Sequence, residues 1–77
     1  MTYKEFSKII KIKRIKLGYL QREIASTLVI SNSKYNKIEN GSAEPSFIEL
    51  LTICKILKIS LDNIISSIND KKYLDLD

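Results

Sequence analysis

Asn32, Ser33, Asn36 and Lys37 fall within "NSKYNKIEN" at a spacing that places them on one side of a helix, while Tyr35 and Ile38 take the other. Two amides, a hydroxyl and an ammonium supply several hydrogen-bond donors and acceptors. Such a set can match a pattern of polar groups on another surface. The chain lacks what bond-making chemistry would need. It has no histidine, its one cysteine, Cys54, lies in the apolar run "LLTICKIL", and its carboxylates are scattered. Neither a nucleophile–base pair nor a metal-ligand set emerges, so no enzyme activity, metal or cofactor is expected. Cys54 reads as a small core residue.

Charge gives the recognition surface a direction. Residues 1–40 carry nine Lys/Arg (Lys4, Lys8, Lys11, Lys13, Arg14, Lys16, Arg22, Lys34, Lys37) against three acids, a net +6, whereas residues 41–77 carry four Lys against six acids, a net −2. A basic half joined to a mildly acidic one suits a polyanion-facing side and a side held away from it. The plainer reading is a well-solvated helical surface.

The elements that must position these residues read as helices. Gly and Pro together occupy three of 77 positions, too few for a turn-rich sandwich. In "YKEFSKIIKIKRIKL", Phe6, Ile9, Ile10 and Leu17 keep a helical period up to Gly18, a plausible stop. "QREIASTL" forms a second helix with Ile24, Ala25 and Leu28 inward. "NSKYNKIEN" forms a third, with Ser31 as N-cap and Gly41 at its C-terminus. A fourth starts at "PSFIE", where Ser46 and Glu49 make a capping box, and continues as a mostly buried helix through Ile48, Leu51, Ile53, Cys54 and Leu57. A fifth opens at "SLDN" and includes Ile64, Ile65 and Ile68, and "NDKKYLDLD" reads as a frayed tail. The expected architecture is all-α: one compact five-helix domain over 1–69 with a tail over 70–77. No apolar run approaches the roughly 18–20 residues that span a bilayer. "MTYKEFSKII" has no signal-peptide pattern, so a cytoplasmic protein without a membrane partner is expected.

Short helices joined by turns of a few residues fit a helix-turn-helix over 21–40 better than a strand and loop. Ile24, Leu28, Ile30, Tyr35 and Ile38 supply the apolar spacing, and the small Ala25 sits where two helices would cross. "KRIKLG" (13–18), Gln21 with Ala25, "KIENG" (37–41), Pro45 and "SLDNII" (60–65) stand in an order and spacing that resembles the Cro/repressor class of helix-turn-helix DNA-binding domains, over roughly residues 6–65. In length and layout the chain is also similar to single-domain controller proteins of restriction–modification systems.

The resemblance implies roles for single residues. Asn32, Ser33 and Lys37 would reach base edges, with Asn36 a secondary candidate. Gln21 would hydrogen-bond a phosphate and brace the third helix, Asn40 would hold a phosphate, and Arg14 with Glu39 would form an internal salt bridge. The chemistry is compatible: an amide pairs bidentately with adenine and a lysine donates to guanine O6 or N7. Arg22 and Lys34 suit sequence-blind phosphate contact. The implied function is transcription regulation by a homodimer on double-stranded DNA, the dimer surface being Leu61, Ile64, Ile65 and Ile68. Those isoleucines could equally be core. An alternative is an antitoxin or adaptor that binds a protein partner through the same fold, motivated by the acidic tail and the apolar Tyr19–Leu20 edge.

Three positions depart from the family pattern. Val29 stands where the turn often has Gly, and a β-branched residue there is costly if the left-handed conformation is kept. Leu20 occupies an N-cap it cannot serve through its side chain. In "SAEP", after Gly41, Glu44 would be repelled by a phosphate, so this loop is assigned no phosphate contact.

Overall fold

The computed structural model describes residues 2–60 and residue 62, and among them the chain is all-α with four helices. They are α1 (Tyr3–Leu17), α2 (Gln21–Leu28), α3 (Asn32–Asn40) and α4 (Phe47–Ile56). The fifth helix expected from "SLDN", the surface assigned to Leu61, Ile64, Ile65 and Ile68, and the tail over 70–77 lie outside the described residues. Among the described residues no helix is long and apolar enough to cross a membrane.

Local chemistry sets the helix ends. Thr2 caps α1: its hydroxyl accepts the Glu5 N–H at 3.2 Å while Glu5 accepts the Thr2 N–H. Gly18, with φ +81°, closes the same helix in the left-handed conformation that glycine adopts without cost. Ser31 Oγ accepts the Lys34 N–H at 3.0 Å at the head of α3. Ser46 and Glu49 exchange both bonds of a capping box at the head of α4. At Gly41 (φ +85°) the backbone passes so near α1 that an added Cβ would meet Lys4 Cγ at 3.1 Å and Ser7 Oγ at 3.3 Å.

The helices share one core of Phe6, Ile10, Ile24, Ala25, Tyr35, Ile38, Ile53, Cys54 and Leu57. Burying each large side chain of this set stabilises the fold by about 1.5–3 kcal/mol. Helix α3 is central, packing on both α1 and α2, and α4 packs on α2. Tyr3 Oη adds a tie by donating to the Ile38 carbonyl at 2.9 Å, and burial pushes its pKa up to about 12.

The helical period misplaces three side chains. Ile9 and Leu17 share the predicted apolar period of α1 but are partly exposed, and Ile48 is 73% exposed instead of buried. In α1 the buried stripe is narrow and runs through Phe6, Ser7 and Ile10. Ile48 sits in the first turn of α4. Leu28, Ile30 and Leu51 are half-buried, and Ile53, Cys54 and Leu57 are buried.

Candidate nucleic-acid interface

Helix α3 divides cleanly. Tyr35, Ile38 and Glu39 are buried, and Asn32, Ser33, Lys34, Asn36, Lys37 and Asn40 are exposed. Its one acid is the buried one, so the exposed face is neutral-polar and basic. Such a face offers donors and acceptors to an anion without repelling it.

The orientation of α3 is set at the elbow before it. Leu28 ends α2, Val29 takes φ 59° and ψ 44°, and Ile30 turns back toward the core. Val29 N donates to Ser26 O at 3.1 Å and Ile30 N to Ala25 O at 3.0 Å, which closes the C-terminus of α2. The left-handed turn is thus kept with a β-branched residue, whose side chain is 88% exposed. Val29 contributes little packing, and the half-buried Leu28 and Ile30 on either side hold the turn. At the other end of α2 the Leu20 side chain makes no cap bond; Glu23 compensates by accepting the Leu20 N–H at 2.7 Å.

Behind the exposed face of α3 lies a buried carboxylate that gathers partners from α1 and α2. Glu39 Oε2 accepts Arg14 Nε at 2.6 Å, and Oε1 accepts Arg14 Nη2 and Gln21 Nε2, each at 3.1 Å. Arg14 also donates through Nη1 to the Tyr19 carbonyl at 2.8 Å. Burial alone would raise the Glu39 pKa, but the Arg14 and Gln21 hydrogen bonds outweigh it and hold the carboxyl below its usual range. The Tyr35 hydroxyl lies against this group, buried and, among the described residues, without a partner in hydrogen-bond geometry, and burial drives its pKa upward. Cys54 is likewise held as the thiol by burial.

The residues assigned to DNA contact are not equally free. Asn32, Ser33 and Lys37 stand exposed on α3, and Arg22 is exposed on the first turn of α2. Asn36 Nδ2 donates to Gln21 Oε1 at 3.3 Å, so Gln21 serves both Glu39 and Asn36. Lys34 Nζ pairs with Glu49 Oε2 at 3.3 Å, which ties α3 to the head of α4. Asn40 Oδ1 accepts from the backbone N–H and the hydroxyl of Ser42, so its amide nitrogen remains as donor. Sequence reasoning missed the Gln21–Asn36 and Lys34–Glu49 contacts, which join residues 15 apart across different helices. The signals were opposite charge at positions 34 and 49 and the brace to the third helix that the resemblance implies for Gln21, which named no partner residue.

A family model described as helix-turn-helix matches residues 10–64. No curated protein and no solved structure matches the chain.

Proposed function

The chain belongs to the Cro/repressor-type helix-turn-helix family of non-enzymatic DNA-binding regulators, and from that premise we propose that it reads a specific operator by inserting α3 into the major groove. The observation that carries this reading is the exposed face of α3. It presents Asn32, Ser33, Asn36 and Lys37 together, with the helix's one acid turned inward. Asn32 and Lys37 take adenine and guanine edges, and Ser33 and Asn36 complete the set. Arg22, Lys34, Gln21 and Asn40 meet phosphates, Lys34 by exchanging its Glu49 partner for one.

One such helix contacts only a few base pairs. We therefore propose a homodimer on a palindromic operator, with half-sites about 34–36 Å apart. The isoleucine-rich segment with Leu61, Ile64, Ile65 and Ile68 is the proposed dimer surface, on sequence grounds, and the proposed location is the cytoplasm.

Selection of bound duplexes from a random pool at two salt concentrations tests this directly. A palindromic consensus at both is the expected result, and equal affinity for all duplexes overturns the proposal. A second reading, protein binding by an antitoxin or adaptor, draws on the exposed apolar edge of Tyr19, Leu20 and Val29. Capture of a stoichiometric protein together with no duplex preference would favour it.

A further inference from the structure

Asn36 carries an amide, and an exposed amide can ordinarily present either its oxygen or its nitrogen to a partner. Here the choice is made at the buried end of a chain of hydrogen bonds. Glu39 is an ionised carboxylate and can only accept. It lies 3.1 Å from the Gln21 amide, so Gln21 must turn its Nε2 toward it; the reversed amide would set two oxygens against each other. Gln21 Oε1 is then left facing Asn36, and a carbonyl oxygen also only accepts. Asn36 must answer with Nδ2, 3.3 Å away, which leaves its Oδ1 and its second N–H for other partners.

We propose that Gln21 is a positioning residue that carries the polarity of Glu39 to Asn36 and makes Asn36 present its carbonyl oxygen to the major groove. This rests on the reading of α3 as the base-contacting helix. The outward oxygen fits a base that offers an exocyclic amine there, adenine N6 or cytosine N4, and opposes the keto oxygens of guanine O6 and thymine O4. Adenine fits better, because its N7 also accepts the second Asn36 N–H. The second Nε2 proton of Gln21 stays available to a phosphate oxygen, so one amide sets register and base polarity together.

Gln21→Lys separates these functions. Lysine can still donate to Glu39 and still meet a phosphate, but it cannot accept from Asn36. The expected result is that Q21K, whatever its affinity for random duplexes, loses about fivefold or more of its preference for an amino base over a keto base at one pair per half-site. In the free protein, nitrogen-resolved NMR of the Asn36 side chain should show one slowly exchanging Nδ2 proton that becomes fast in Q21K. A folded Q21K in which either change is absent overturns the relay. If the unaltered protein selects no consensus, the DNA-reading proposal fails, and the NMR comparison still decides the relay. A bracing role alone would change stability and leave base preference intact.

Discussion

Arg14 and Glu39 form a bidentate pair between the last turn of α1 and the last turn of α3, with Nε 2.6 Å from Oε2 and side chains 12% and 2% exposed. The pair fixes the angle at which α3 leaves the core, because the same guanidinium also holds the Tyr19 carbonyl just before α2. A single buried charge pair therefore registers α1, α2 and α3 against one another. Gln21 extends it to the exposed face.

Removing one partner should cost much more than removing both. Arg14→Ala leaves a buried carboxylate facing Gln21 alone, and loss of about 3–5 kcal/mol in a urea titration is expected. The double replacement Arg14→Met with Glu39→Leu should lose less than either single truncation, because no unpaired charge remains. Additive losses in the three variants would refute the coupling.

The same pair makes stability depend on acid. Glu39 titrates lower in the folded protein than the roughly 4.3 of an unperturbed glutamate, so its contribution is full above that value. It is lost as pH falls through the folded-state pKa. The Glu5 and Glu49 carboxyls, lowered by their bonds to the Thr2 and Ser46 N–H groups, shift in the same sense. Unfolding midpoints should hold steady from neutral pH down to about 5 and then fall. Glu39→Gln should lower the plateau and flatten the fall; an unchanged slope would show that other groups govern it.

Much of this architecture is readable in the sequence because its signals are local. The bounds of α1 to α4 follow from apolar period together with Gly18, Ser31, Gly41 and Ser46, whose roles depend on neighbours within a few residues. Period alone could not tell Phe6 from Ile9 on α1, since the width of the buried stripe depends on which helices cover it. The polar face of α3 was legible for the same local reason. The engagement of Lys34 by Glu49 and of Asn36 by Gln21 was not, because each needs the crossing geometry of two helices. The Arg14–Glu39 pair, 25 residues apart, came only from family resemblance.

Val29 offers a direct measure of backbone strain. It holds φ 59° with its side chain 88% exposed, so replacing it loses almost no packing. A non-glycine residue in a sparsely populated region costs on the order of 1–3 kcal/mol, against about 0.5–1 kcal/mol of extra unfolded-chain entropy for glycine. Val29→Gly should therefore stabilise the domain by roughly 1 kcal/mol in denaturant titration while leaving duplex preference unchanged. A destabilised Val29→Gly would mean that Val29 makes a contact beyond this turn.

Leu20 should respond to the opposite remedy. Its side chain cannot accept from the head of α2, and Glu23 supplies only the return bond to the Leu20 N–H. Leu20→Ser completes the capping box and should add about 1 kcal/mol of stability. Removing the Glu23 carboxylate in the Leu20→Ser background should take back part of the gain, since the two halves act on one turn. If Leu20→Ser instead destabilises the domain, the half-exposed leucine is packing where the cap argument assigns it none.

Lys34 and Lys37 stand on the same helix and should fail differently. About six phosphate contacts imply that binding falls with salt at a log–log slope near −5. Lys37 is a proposed base reader, so Lys37→Ala should relax selection at one base pair per half-site and cost about 1–3 kcal/mol there. Lys34 must first leave Glu49, an exposed pair worth at most about 1 kcal/mol, before it meets a phosphate. Lys34→Ala should weaken every duplex alike and make the slope shallower by about 1 or less. Glu49→Gln removes the competitor and should tighten all duplexes while steepening the slope. If Lys34→Ala altered the consensus and Lys37→Ala did not, the two roles on α3 would have to be exchanged.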